Sequence, residues 1–516
     1  MNDTDSAGPI VQAPSGRYAG SSDDPSGATF AGIPFAEAPV GTLRFQPPQP
    51  LRHTPETFDA TRFRAAPAQA GTSLKIEGDT RAESSGGGFS ALGGGATLIE
   101  TSEDCLYLNV WTPDIEGSRP VIVWLYGGGF DTGSAAPPVT NGAALRARTD
   151  AVVVSINYRV GALGFGHWSG IGGDRWAESS NLGIQDQITG LQWVQRNISA
   201  FGGDPDRVTV AGESAGAFCI GTLLAIPSAR QTFTQAIMHS GSTRRIFPTD
   251  IADAIAEDLL RAVGEASVDK LQTIGVDRIL AAQGQVVDSD IGLRNLAGGR
   301  SWGVVLDGTI LQRDPLESVR AGDAAGIRLL MGANRDETLI FQSILGAAWP
   351  PANDRALETE MSRAPVADPA ALLHAYRTAA QEAGRPSDLG DLRTAFLTDA
   401  IYRRPAIETA EAQQRAGGSA WTLLFAATPM GPRIGASHGM DLIYLFDHLA
   451  AVGIDDAANR RTQDQLFEAW RRFIHHGNPG WPRYRYAEQD VTRLIGGPID
   501  LVTEPPPGPV RDTWPI

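Results

Sequence analysis

Gly212-Glu213-Ser214-Ala215-Gly216 has the G-x-S-x-G spacing of a nucleophile elbow, in which a serine hydroxyl is presented on a sharp turn between a strand and a helix. A hydroxyl is a weak nucleophile until a base takes its proton, so such a serine implies a histidine and a carboxylate elsewhere in the chain. With 59 glycines in 516 residues, the pentapeptide alone arises by chance with a probability of about 0.4. Its flanks carry the weight. The apolar run Arg207 to Ala211 leads in, and the small-residue helical stretch Ala215 to Leu224 leads out. A side chain at Gly212 or Gly216 would collide with neighbouring backbone in so tight a turn. Trp124-Leu125-Tyr126-Gly127-Gly128-Gly129-Phe130 sets three glycines directly after another apolar run, where backbone N–H groups can turn toward an oxyanion.

On such an elbow the acid and then the histidine follow the serine in the chain. Five histidines lie far enough downstream: His374, His438, His448, His475 and His476. His475 and His476 close a helical segment, Gln465 to His476, before Gly477, where cations suit a helix C-terminus. His374 sits inside helical Ala371 to Gln381. His438, in the small-residue loop Gly435-Ala436-Ser437-His438-Gly439, is the candidate base. Asp336 and Glu337 both follow the apolar run Leu329 to Gly332, and on chemistry alone either carboxylate could orient an imidazole.

The elements that must position these groups read as an α/β pattern, a mostly parallel sheet with helices on both faces. Pro120 to Tyr126, Ala151 to Asn157, Arg207 to Ala211, Thr234 to His239, Ile327 to Gly332 and Ala420 to Phe425 are continuous apolar runs, as expected of strands buried on both sides. Asn181 to Ile198 carries apolar residues at helical spacing and makes a β-α-β unit with the runs around it. Ser84 to Ala96 is glycine-rich and reads as a mobile surface loop. Helical inserts over one end of the sheet are expected near 249–296 and 352–414. No Pro/Gly linker isolates either, so residues 1–516 are expected to form a single domain.

The formal charge of −16 argues against a nucleic-acid or anionic-membrane partner, which would need a basic face. The longest apolar stretches fall far short of the ~20 residues that span a bilayer. Two cysteines, Cys105 and Cys219, exclude a disulfide scaffold, and no His/Asp/Glu cluster has metal-ligand spacing, so neither metal nor cofactor is expected. The acidic N-terminus shows no secretory leader, and the expected location is cytoplasmic.

At this point the sequence resembles the type-B carboxylesterase family of the α/β-hydrolase fold, which includes cholinesterases and bacterial para-nitrobenzyl esterases. The matching blocks are Phe30-Ala31-Gly32-Ile33-Pro34-Phe35-Ala36, Glu103-Asp104-Cys105-Leu106-Tyr107-Leu108-Asn109-Val110, Gly127 to Phe130, and Asn157-Tyr158-Arg159-Val160-Gly161. They continue through Asn181-Leu182-Gly183-Ile184-Gln185-Asp186-Gln187, Phe201-Gly202-Gly203-Asp204-Pro205 and the elbow. The resemblance implies a serine carboxylesterase with Ser214, Glu337 and His438 as its triad, Asp336 then being structural. It also implies an oxyanion hole from the backbone N–H groups of Gly128, Gly129 and Ala215. The partner implied is a small-molecule ester; an amidase, carbamate hydrolase or lipase would share the triad. Phe130, Trp302 and Phe341 are candidate pocket residues, and the oligomer is left open between monomer and homodimer. Two features depart from the family. Residues 71–102 lack the tryptophan with which cholinesterases bind cations, which favours neutral esters. Cys105, expected to begin an edge strand, has no upstream cysteine to pair with, so two reduced thiols are expected.

Overall fold

Side chains along each apolar run alternate between two cores, one on each face of a single large sheet. In the strand Arg119–Leu125, Val121, Val123 and Leu125 enter one core, while Ile122 and Trp124 enter the other. Leu329 and Met331 part from Leu330 in the same way. The computed structural model describes residues 8–22, 27–51, 56–69, 100–137, 140–290, 302–485, 491–497, 501–503, 510 and 514. The glycine-rich stretch Ser84 to Ala96 lies outside them.

Ten described strands make the sheet: β1 (Ala28–Pro34), β2 (Tyr107–Thr112), β3 (Arg119–Leu125), β4 (Val152–Ile156), β5 (Gly203–Glu213), β6 (Gln235–His239), β7 (Arg328–Asn334), β8 (Ser419–Phe425), β9 (Val491–Ile495) and β10 (Leu501–Thr503). They pair in the order β10-β9-β8-β7-β6-β5-β3-β4-β2-β1. From β9 to β4 every pairing is parallel; β10, β2 and β1 join antiparallel at the two sides. The six runs named from the sequence are β3 to β8, each within a few residues of its expected ends. Cys105 precedes β2, which is not an edge strand as expected, because β1 pairs along its outer side.

Several matching blocks prove to be mutual structural partners. The buried Asn109 side chain on β2 accepts the Gly32 N–H of β1 at 2.8 Å and donates to the Ala135 carbonyl at 2.9 Å. Arg159 and Asp186 form a buried bidentate pair at 2.8 and 2.7 Å, a geometry in which two charges out of water satisfy one another. The helix Leu182–Asn197 lies between β4 and β5 in the chain, giving the expected β-α-β unit. The insert regions hold the helices Thr249–Val263, Val268–Leu271 and Val276–Asp290, then Asp354–Met361, Pro369–Glu382, Leu389–Leu397 and Arg404–Arg415. Between the last two lies a π-helical turn, Thr398–Arg403.

Candidate active site

β5 ends at Glu213, and the helix Ala215–Leu223 begins immediately after it, so Ser214 alone makes the turn. It does so at φ 54° and ψ −124°, a strained conformation for a residue with a side chain. The Ser214 N–H is anchored to the His239 carbonyl at 3.0 Å, at the end of the neighbouring β6. The flanking glycines are required by contact. A Cβ on Gly216 would stand 2.1 Å from the Leu125 carbonyl oxygen, and one on Gly212 would stand 2.8 Å from that same atom. The helix thus starts pressed against the end of β3.

The acid and base come from the ends of β7 and β8. Asn334 closes β7 and Glu337 follows it, fully buried. His438 sits in the loop after β8, just before the helix Met440–Leu445. Its Nδ1 lies 2.7 Å from Glu337 Oε2 and its Nε2 lies 2.8 Å from Ser214 Oγ. Beside a carboxylate, Nδ1 carries the proton, which leaves the Nε2 lone pair facing the serine hydroxyl. The other oxygen of Glu337 accepts from Ser240 Oγ and from the Asn334 N–H, each at 2.7 Å.

Asp336, the adjacent alternative, points elsewhere. Its carboxylate accepts the Ala436 N–H at 2.9 Å and pairs with Arg335, while its own N–H donates to the Ala436 carbonyl. It fastens the histidine loop instead of meeting the imidazole.

Gly127 to Gly129 pass close to the nucleophile: a Cβ on Gly127 would lie 3.0 Å from that of Ser214. Gly128 and Gly129 adopt φ 118° and 65°, and a Cβ on Gly128 would meet the Thr132 carbonyl oxygen at 2.2 Å. Among the described residues, the N–H groups of Gly128, Gly129 and Ala215 donate to no protein acceptor. Three polar donors held open beside a serine suit an incoming anion.

Phe341 faces the imidazole, with ring centres 6.4 Å apart. Phe130 and Trp302 are 2% and 1% exposed and belong to the core; among the described ring contacts, Phe130 meets Phe165 at 5.0 Å and neither touches the triad. Sequence reasoning missed two neighbours. Tyr402, on the π-helical turn, lies with its ring 4.7 Å from that of His438, and no local pattern announces a π-turn. Glu213, the variable position inside the elbow motif, is buried, and its Oε1, which lies 3.2 Å from His438 Nε2, has no hydrogen-bond partner among the described residues.

Burial pushes the Glu213 carboxyl up to about 8. Burial by itself would lower the His438 imidazole, but the carboxylates of Glu213 and Glu337 outweigh it and push that group up to about 9. Cys219, on the helix after the serine, is raised by burial to about 12, so it is an inert thiol; neither cysteine is paired. Among the described residues, no group of three or more His, Cys, Asp or Glu side chains is arranged to hold a metal. No described helix is long and apolar enough to cross a membrane.

The comparisons with known proteins agree with one another. The sequence profile of the carboxylesterase family matches residues 7–493. The para-nitrobenzyl esterase of Bacillus subtilis is 33% identical over 492 residues, covering 92% of each chain. The fumonisin B1 esterase of Sphingopyxis macrogoltabida is 32% identical over 487 residues, covering 90% of this chain and 83% of that one. In structure, a carboxylesterase of Geobacillus stearothermophilus superposes with a TM-score of 0.81 at 30% identity over 98% of this chain and 100% of the other. A para-nitrobenzyl esterase reaches 0.83 at 30% identity, covering 98% and 99%.

Proposed function

The chain belongs to the carboxylesterase family and hydrolyses carboxylic esters, and on that premise we propose that Ser214, His438 and Glu337 are its catalytic triad, working through an acyl-enzyme. The observation that carries this reading is the unbroken hydrogen-bonded line from Ser214 Oγ through both imidazole nitrogens to the buried Glu337 carboxylate. His438 takes the serine proton as Oγ attacks the ester carbonyl. Glu337 holds the imidazole in the accepting tautomer and stabilises the imidazolium. The N–H groups of Gly128, Gly129 and Ala215 receive the oxyanion, each contributing about 3–4 kcal/mol in the transition state. His438 then protonates the departing alcohol, and water repeats the cycle to release the acid.

We place the substrates among neutral small-molecule esters, since residues 71–102 lack the tryptophan with which cholinesterases bind cations. A cytoplasmic location fits two cysteines that are buried and unpaired. The test is a rate comparison on para-nitrophenyl acetate, a long-chain triglyceride emulsion and an aryl carbamate. The simple ester is expected to lead in kcat/KM by about 100-fold. A lead for the carbamate or the emulsion would replace this reading with a carbamate hydrolase or a lipase.

Acid–base behaviour gives a second expectation. The base works only when neutral, and its neighbouring carboxylates favour the charged form. The acidic limb of kcat/KM is therefore expected with its midpoint above pH 6.5, the ordinary imidazole value, and activity falls about tenfold per pH unit below it. A rate that stays flat down through pH 5 would show that no histidine base is at work.

A further inference from the structure

Beneath the triad lies a second histidine–carboxylate pair that the reaction just described does not use. Asp441, three residues after His438, is fully buried; its Oδ2 lies 2.6 Å from His239 Nδ1, and its Oδ1 accepts from Asn334 Nδ2 at 3.0 Å. His239 closes β6, where Gly332 leaves room for its ring: a Cβ there would lie 3.0 Å from His239 Cδ2.

The protonation of this pair follows from a third residue. Trp470 Nε1 points at His239 Nε2 at 3.3 Å. An indole N–H can only donate, so Nε2 must accept and carries no proton. The imidazole is then neutral with its single proton on Nδ1, given to Asp441. Asp441 is hydrogen-bonded by two neutral donors and compensated by no full positive charge of that pair. Burial favours the neutral acid, but the bonds from His239 and Asn334, together with the Coulombic pull of the His239 and His438 imidazoles in their charged forms, hold its carboxyl below the ordinary value.

Its links run to every member of the triad. Asn334 donates its side-chain N–H to the Ser437 carbonyl at 2.7 Å, directly before His438, and its backbone N–H to Glu337. The His239 carbonyl receives the Ser214 N–H. The charged or titratable groups around His438 are Glu213 from the elbow, Glu337 from the β7 loop, Tyr402 from the π-helical turn and Asp441 from the helix that follows; those around Asp441 are His239, His438 and Glu213.

We infer that Asp441 is a positioning residue of the catalytic centre: an anion held by His239 and Asn334, it fixes the His438 loop and strengthens the hold of that imidazole on its proton. The inference rests on His438 being the base. Asp441→Asn keeps the shape and removes the charge, so the acidic limb of kcat/KM is expected to move about one unit toward lower pH. In the same variant kcat should fall about tenfold, with KM changed less than about twofold. Asp441→Glu, which restores a carboxylate, should return the limb toward its wild-type position. Rates are normalised to sites titrated by a fluorophosphonate, which also shows that the triad itself is intact.

A limb for folded, titratable Asp441→Asn that coincides with wild type would overturn the inference and leave the triad standing; loss of fluorophosphonate reactivity in wild type would instead remove the triad. Should Asp441→Asn fail to fold, His239→Gln decides, because its amide can still donate to the carboxylate. Its limb is expected within about 0.3 unit of wild type. An upward shift of about one unit would mean that the replaced imidazole bore a positive charge compensating Asp441, and the inference would fall.

Discussion

Ser214→Ala lowers kcat/KM for para-nitrophenyl acetate by about 10⁵-fold or more and abolishes labelling by a fluorophosphonate. The substitution removes one oxygen and nothing that packs. Ser214 holds its place through its backbone, with the N–H on the His239 carbonyl and its own carbonyl accepting from Phe218 at 2.9 Å, and both bonds survive in alanine. A melting temperature near that of wild type is therefore expected beside the lost activity, which separates chemistry from folding. What rate remains comes from the three free N–H donors and from binding alone. Labelling that persists in the variant would place the nucleophile elsewhere.

Glu337→Gln is expected to reduce kcat by about 10³- to 10⁴-fold, although it changes a single atom of a buried side chain. The surroundings dictate which way the amide settles. Oε1 sits between two donors, the Ser240 hydroxyl and the Asn334 N–H, so the amide oxygen must take that position. The NH₂ group then faces His438 Nδ1. A donor there requires Nδ1 to accept, which moves the ring proton to Nε2 and turns the base into a donor toward Ser214. Steady-state kinetics on active-site-titrated enzyme measure the loss. A variant within tenfold of wild type would mean that the tautomer is set by something other than Glu337.

The fate of these two carboxyl positions shows what local sequence could and could not reveal. Asp336 and Glu337 are neighbours with the same chemistry, so residue type and spacing leave both open; the backbone after β7 sends one toward Ala436 and the other toward the imidazole. Ser214 and the glycine loop were legible because their constraint is local, a turn that admits no Cβ. Strands β3 to β8 were legible because both faces are buried and the run is uniformly apolar. β2 was legible as a strand but not in its place inside the sheet, because β1, which covers its outer side, has its apolar run broken by Gly32 and Pro34, the former giving its N–H to Asn109 of β2. Ser240, His239 and Asp441 escaped for a different reason. Their partners lie 97 and 202 positions away, and only the strand order brings them together.

That separation also has a history in time. Ser214 and His438 stand 224 positions apart in the chain, and the acid, which falls within that interval, meets the base from 101 positions away. Contacts so distant close late, after the intervening segments have collapsed and paired. At typical translation speeds the serine leaves the ribosome roughly ten to forty seconds before the histidine is even synthesised. A nascent chain thus carries its nucleophile in a mute form, without a base to awaken it, and hydrolytic competence arrives as one of the last events of folding.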